Sequence, residues 1–217
     1  GLGAEGVIWT KEVEDPRRFG LVELGEHGLV QHLIEKPQDP QSNLAVVGFY
    51  YFPRAEQLIA KIEQQIADGG ALKGEFYLAD AINRLIEAGL RIRAQPVELW
   101  QDLGTPSAVL EANRYLLNHG HDNSKENRRE GVGIEPPAYI DPAAEIRQSV
   151  IGPFASIGPG CVIERCEIRD SIVEADTHIT DSMVSGSLIG RAARVEGVSG
   201  SLNIGDSSEV RGPAGGV

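Results

Sequence analysis

The sequence predicts two folds in tandem: an α/β domain, then an all-β left-handed parallel β-helix of hexapeptide repeats. Three observations lead there. Residues 1–117 alternate short apolar, strand-like runs with stretches of helical periodicity. Residues 118–133 are polar and charged and read as a linker or exposed connection. Residues 134–217 repeat an aliphatic residue every five or six positions, a period that neither a helix nor a hairpin array produces.

In the first part, 7–10 reads as a short strand and Glu14-Asp15-Pro16-Arg17-Arg18 as a polar loop. Residues 19–24 and 29–34 flank Gly25-Glu26-His27-Gly28, which predicts a hairpin. The nearly continuous apolar run 44–52 reads as a buried strand. The period then changes. Leu58, Ile59, Ile62 and Ile66 recur at helical spacing before Gly69-Gly70, and Leu78, Ile82, Leu85 and Ile86 do so before Gly89. Residues 92–99 predict another strand. Thr105-Pro106 then opens a third helix to about Leu117, with Thr as N-cap and Pro at the first helical position.

In the second part the aliphatic positions are Ile134, Ile140, Ile146, Ile151, Ile157, Ile163, Ile168, Val173, Ile179, Val184, Ile189 and Val195, resuming after a gap at Ile204 and Val210. Turn residues such as Gly152-Pro153 and Gly158-Pro159-Gly160 sit between them and account for part of the chain's 26 glycines. Each aliphatic points into a triangular shaft, three repeats making one coil. At ~18 residues per coil the segment makes between four and five coils, enough for a continuous core. Five-residue steps mark imperfect corners.

The net charge is −12, which disfavours nucleic acid or an anionic membrane as partner but leaves a small phosphorylated substrate open, since local lysines and metal ions hold it. The two cysteines, Cys161 and Cys166, have no second pair or nearby His cluster and read as buried or free thiols. Few cysteines and no signal peptide point to the cytoplasm, and no apolar run approaches the ~20 residues of a membrane helix. The chain opens at Gly1 and runs straight into Val7-Ile8-Trp9, which leads us to expect a chain lacking its front half.

Several residues are candidates for chemistry. Glu35-Lys36-Pro37 ends the second hairpin strand, at a sheet rim where α/β sites form. Lys36 suits a phosphate and Glu35 a sugar hydroxyl; a solvated strand end is the alternative. In Trp100-Gln101-Asp102-Leu103-Gly104-Thr105-Pro106, Asp102 precedes the helix cap at the carboxyl end of a strand, where a carboxylate suits Mg²⁺; a turn-forming Asp is the alternative. Glu75 and Asp80 favour a helix N-terminus and read as structural. His178, alone in the repeats, reads as an exposed corner residue, and Arg191 and Arg194 as solvated.

Taken in order, Phe19-Gly20, Glu35-Lys36-Pro37, Val47-Gly48-Phe49-Tyr50, Glu75-Phe76-Tyr77-Leu78-Ala79-Asp80 and the Trp100 to Pro106 run resemble the sugar-1-phosphate nucleotidyltransferases, in particular the glucose-1-phosphate thymidylyltransferase-like group with a C-terminal β-helix. The resemblance covers almost the whole chain. It implies that residues 1–117 are the C-terminal portion of a Rossmann-like catalytic domain. It further implies that Lys36 binds the sugar phosphate, Glu35 the sugar, Gly20 approaches the sugar, Tyr50 lines its pocket, Trp100 lies beside the site, and Asp102 is one of two Asp ligands for Mg²⁺. The family's G-x-G-T-R-L-x-P triphosphate loop and its other metal Asp are not in this sequence, and Gly1-Leu2-Gly3 is no substitute.

The implied reaction joins a nucleoside triphosphate and a sugar 1-phosphate into an NDP-sugar with release of pyrophosphate, and the fragment is expected to be inactive alone. The base and the sugar stay open. Two other readings remain at this point: a β-helix acyltransferase with His178 as base, and a non-catalytic assembly or regulatory subunit that forms a homo-oligomer through its β-helix.

Overall fold

The computed structural model describes residues 4–69 and 74–213. Gly70, expected to help close the first helix, and Gly1 to Gly3 lie outside the described residues. The chain forms two compact units, Gly1–Trp100 and Gln101–Val217. The third helix and the polar 118–133 stretch both lie in the second unit.

The first unit is built on a mixed sheet in the order β3-β2-β4-β1-β5. Its strands are β1 (Gly6–Glu12), β2 (Gly20–Leu24), β3 (Val30–Glu35), β4 (Leu44–Tyr51) and β5 (Ile92–Pro96). The hairpin forms as its alternation predicts, β2 antiparallel to β3 with Gly20 opposite Glu35. β5 stops at Pro96 rather than continuing to 99; the Val97 N–H makes the last bond to the sheet, donating to the Thr10 carbonyl at 2.9 Å. β4 departs from the expectation of burial on both faces: Phe49 is 71% and Tyr51 56% exposed, while Tyr50 and Phe52 pack on the core. The face carrying Phe49 and Tyr51 is open toward the end of β4, although Ala45 at its start is fully buried, and its apolar residues hide the period of two; Leu44, Val46, Tyr50 and Phe52 look to the covered face.

Helices α1 (Ala55–Ala67) and α2 (Leu78–Glu87) cover that face. Leu58 and Ile82 pack with Ile8, Val22, Leu33 and Ile92. The inward residue near the end of α1 is Gln65, not Ile66: Gln65 is buried and Ile66 is 54% exposed. Gln65 Nε2 donates to the Tyr77 carbonyl at 3.2 Å and to Asp80 Oδ2 at 3.3 Å, so a polar bond replaces an apolar contact there. Leu78 and Ile59 are likewise exposed. Asn83, buried on α2, accepts from the Leu33 N–H at 2.9 Å and donates to the Leu33 carbonyl at 2.8 Å. An edge strand carries unpaired backbone groups; here one side chain satisfies both and fastens α2 to β3.

The second unit begins with α3 (Pro106–Leu116). Thr105 caps it, its side chain accepting from the Ala108 N–H at 3.3 Å, and Pro106 takes the first helical position. Asn113 Nδ2 donates to the Phe154 carbonyl at 3.0 Å and its Oδ1 accepts from Ser156 Oγ at 2.6 Å. Arg114 forks onto Asp170 at 2.6 and 2.5 Å. These bonds dock α3 on the repeat region.

Among the described residues, the repeats run from β6 (Gly133–Ile134) to β20 (Glu209–Arg211) and stack into three five-stranded parallel sheets. This is a parallel β-solenoid of about five turns. Ile146, Ile163, Ile179, Val195 and Val210 align on one face. Ile140, Ile157, Val173, Ile189 and Ile204 align on the second. Ile134, Ile151, Ile168 and Val184 align on the third, where Gly200 takes the next place. The gap in the aliphatic series is therefore a glycine in register. Steps from Ile146 to Ile163 (17 residues) and from Val195 to Val210 (15 residues) make each coil shorter than the ~18 expected.

Small residues turn the corners inward and pair the backbone there. Ser171, fully buried, donates to the Arg169 carbonyl at 2.6 Å and accepts from the Ser187 N–H of the next coil at 3.1 Å. Ser187 accepts from the Leu202 N–H, Ser149 from Cys166 and Ser182 from Val198, at 2.9, 3.0 and 3.1 Å. Cys161 and Cys166 are free, buried core residues. Burial pushes both thiols up, so they remain protonated and inert.

Residues 122–129 close the first coil. Asn123 Nδ2 donates to the Ile140 carbonyl and its Oδ1 accepts from the Ile140 N–H, both at 2.9 Å. Asp122 Oδ1 accepts from the Ser124 and Ala138 N–H groups at 2.9 and 3.1 Å. Burial opposes its charge, but these N–H bonds, with the Ser124 hydroxyl and the charge of Lys125, prevail and hold the carboxyl below the usual range. Arg129 Nη1 donates to the Ala144 carbonyl at 2.7 Å.

The corner ladder gives a direct test. Ser171→Ala leaves the buried Ser187 N–H without its acceptor and is expected to cost about 1–3 kcal/mol. Chemical denaturation measures the loss, together with faster hydrogen exchange at the Ser187 amide. Unchanged exchange there would show that the hydroxyl is not needed.

Candidate functional site

Glu35 closes β3 and Gly20 opens β2, and the ladder sets them opposite each other. A Cβ at position 20 would stand 2.9 Å from Glu35 Oε2. Glycine thus keeps open the space that the carboxylate occupies. Lys36 follows with φ +43°, a left-handed turn that ends the strand, and its N–H donates to the Phe19 carbonyl at 3.1 Å. Lys36 Nζ lies 3.7 Å from Glu35 Oε1, with side chains 59% and 24% exposed. So exposed a pair contributes only ~0–1 kcal/mol, and the ammonium is free to turn to a stronger anion.

The charge of this carboxylate reaches two tyrosines. Tyr50, half-buried at the end of β4, has its phenol raised above the ordinary value, by burial first and then by the charge of Glu35. Tyr77, the residue before α2, donates its hydroxyl to Glu75 Oε2 at 2.9 Å. That bond raises its phenol, followed by burial and the charges of Glu75, Glu35 and Asp80. Glu35 is the charge common to both. The Asn83 clamp brings the N-terminus of α2 to this end of the sheet. Trp100 meets Phe19 edge-on, with ring centroids 5.2 Å apart, beside the start of β2.

Gly20, Glu35, Lys36 and Tyr50 thus gather at one end of the sheet, with Trp100 reaching it through Phe19. Tyr77 joins them although residue spacing did not single it out; the signal is an aromatic directly before a helix that starts beside a carboxylate. Asp80 serves the structure, bonded by Gln65. Asp102 belongs to the second unit. It is not at a strand end: β5 stops at Pro96, and Asp102 lies half-buried in the run into α3. A Cβ on Gly104 would meet its Oδ1 at 3.3 Å, so the chain folds closely around the carboxylate. Among the described residues no group of three or more His, Cys, Asp or Glu is arranged around a metal position. A single carboxylate still suits Mg²⁺, which takes one or two carboxylates and completes its shell with phosphates and water. His178 is exposed on β14 (His178–Thr180), between Val162 and Arg194 in the ladder. Among the described residues no carboxylate is bonded to it. Among the described residues no helix is long and apolar enough to cross a membrane.

Residues 2–119 match the nucleotidyl transferase family. The chain is 30% identical over 216 residues to the low-salt glycan biosynthesis nucleotidyltransferase Agl11 of Haloferax volcanii, covering 87% of this chain and 57% of that protein. It is 36% identical over 213 residues to a glucose-1-phosphate thymidylyltransferase of Streptomyces antibioticus, with the same coverage. It is 32% identical over 209 residues to the bifunctional protein GlmU of Methanocaldococcus jannaschii, covering 84% of this chain and 49% of that protein. The chain spans about half the length of the curated relatives it matches.

The two tyrosines report on the carboxylate. With tyrosine rings ¹³C-labelled, Tyr50 and Tyr77 are expected to titrate above the ordinary ~10. Glu35→Gln removes a negative charge that disfavours both phenolates, so both midpoints fall. Tyr50 stays above ~10, because burial is its main cause. If neither midpoint moves in Glu35→Gln, the carboxylate does not face the tyrosines.

Proposed function

The chain belongs to the nucleotidyl transferase family, and we propose that its first unit forms the sugar-phosphate side of an enzyme that makes NDP-sugars. The substrates are a nucleoside triphosphate and a sugar 1-phosphate, and the second product is pyrophosphate. The observation that carries this reading is the Glu35–Lys36 pair at a strand end, facing a glycine that leaves room beside it. It offers an acceptor for sugar hydroxyls and a cation for a phosphate, side by side. The names of the relatives, a glucose-1-phosphate thymidylyltransferase among them, agree with it.

In the proposed reaction a phosphate oxygen of the sugar 1-phosphate attacks the α-phosphorus of the triphosphate. A new P–O bond forms, the bond from the α-phosphorus to the bridging oxygen breaks, and its electron pair leaves with pyrophosphate. Both reagents are anions, so the protein's work is positioning and charge neutralisation. Lys36 holds the sugar phosphate in line as a point charge. Glu35 accepts from sugar hydroxyls, and Tyr50, neutral at physiological pH, offers both a donor and an acceptor. Tyr77 fixes the floor of the site through Glu75. Mg²⁺, when bound, would supply charge stabilisation to phosphate oxygens; the resemblance offers Asp102, a residue of the second unit, as one of its ligands. Residues 1–217 contain no Gly-rich triphosphate loop, so assayed alone they are expected to bind sugar phosphate while releasing little pyrophosphate.

Calorimetric titration of the 217-residue chain with glucose, N-acetylglucosamine and mannose 1-phosphates tests the assignment. Lys36→Ala is expected to weaken the tightest of them about ten- to a hundredfold, and the corresponding free sugar to bind far more weakly than its phosphate. Equal binding by wild type and Lys36→Ala would remove Lys36 from the site.

A further inference from the structure

A cavity of about 370 Å³ opens at the first coil of the solenoid, lined by Ser124, Lys125, Arg128, Arg129, Val132 and Ile134 among others. Its size falls in the ~300–1,000 Å³ range of small-molecule sites. Three of these residues are cations in a chain of net charge −12, and among the described residues no ion pair neutralises any of them. Arg129 spends two bonds on neutral acceptors, the Ala144 carbonyl at 2.7 Å and Asn127 Oδ1 at 3.3 Å, which fix its guanidinium while leaving other N–H groups unspent. Ser124 is 3% exposed. Its Oγ has no hydrogen bond of good geometry among the described residues, although it lies near enough to the Asp122 carboxylate to lower its pKa. A buried polar atom without a partner is costly and calls for an explanation.

We propose that this cavity is a second ligand site, for a small phosphorylated metabolite, separate from the Glu35–Lys36 pair. Arg129 meets the phosphate with donors already oriented by its backbone contact. Lys125 and Arg128, both exposed, close over it as mobile charges, and Ser124 Oγ supplies a short donor or acceptor. Val132 and Ile134 line the cavity as an apolar wall for the carbon body of the ligand. A nucleic acid does not fit: Glu126 lies between the cations in sequence and Glu130 follows them, and the chain as a whole repels a polyanion. Because Arg129 and Ser124 belong to the segment that closes the first coil, binding stabilises the solenoid by linkage.

Titrating the chain with inorganic phosphate and with glycerol 3-phosphate, against chloride at matched ionic strength, tests the site. The readouts are amide resonances and thermal unfolding. Residues 124–132 are expected to shift and the unfolding midpoint of the solenoid to rise, more for glycerol 3-phosphate than for phosphate. The exposed pair Lys125→Gln/Arg128→Gln should weaken binding about tenfold or more without changing the midpoint of the ligand-free protein. Ser124→Ala should weaken it less. Lys36→Ala should leave it intact, so failure of the sugar-phosphate assignment and failure of this one are read separately. Absence of shifts at residues 124–132 overturns the proposal, as does undiminished binding in the double variant.

Discussion

A buried backbone N–H or carbonyl has to be paired, and both units meet that requirement at the same kind of place, where a sheet or stack of coils runs out of strand. Asn83 pairs both free groups of Leu33 at the edge of the mixed sheet. Asn123 does the same for Ile140 at the first coil of the solenoid. Inside the solenoid, where the chain bends and the ladder breaks, buried serines accept the orphaned N–H groups of the next coil. In each case a side chain stands in for a missing strand, and its geometry sets what lies nearby.

That substitution is what positions chemistry. Asn83 follows Tyr77 by six residues, about 1.7 turns of helix, so fastening it to Leu33 carries the start of the helix to the end of β3, where Glu35 stands. The apolar contacts of Ala79 and Ile82 are non-directional, and the bonds of Gln65 and Arg84 tie α2 to α1 and the turn after it rather than to the sheet, so the Asn83 clamp is the polar bond that joins α2 to β3 among the described residues. At the solenoid the arginine that completes the cap, Arg129, is also the most fixed cation in the cavity beside it. Closing the fold and orienting a charge are there one act.

The parts of this molecule legible in the sequence are those set by period. The aliphatic ladder from Ile134 to Val195 announced the solenoid because each residue fills one inward slot. It broke at Gly200 only because the slot there holds no side chain. The hairpin and the α3 cap were equally plain, since turn residues and Thr105-Pro106 act locally. The Glu35-Lys36 rim was visible as a charged strand end, although its roles came through resemblance. What stayed hidden depends on partners distant in sequence. Gln65 takes the inward place beside Ile66 because Asp80 and the Tyr77 carbonyl are there to receive it. Phe49 and Tyr51 lie on an open face that period alone cannot distinguish from a buried one. Tyr77 enters the site only once α2 is fastened to β3, and the polar stretch after α3 looked like a tether until Asn123 met Ile140.

Charge brings the two candidate sites under one argument. At −12, the chain repels an approaching phosphate at long range, but that field is screened over about 8 Å at physiological ionic strength. Inside that distance only the nearest groups count, and an anion then sees Lys36, or the three cations from Lys125 to Arg129, rather than the whole protein. In the proposed site a neighbouring carboxylate such as Glu35 does not cancel such a cation. On the proposed reading it favours anions that bring hydroxyls over bare polyanions. The cavity at the solenoid cap has no such carboxylate in its lining and offers apolar walls instead. The same charge logic therefore sorts the two proposed sites by what accompanies the phosphate: a polyhydroxylated body bonded by Glu35 beside Lys36, and a compact one packed against Val132 and Ile134 beside Arg129.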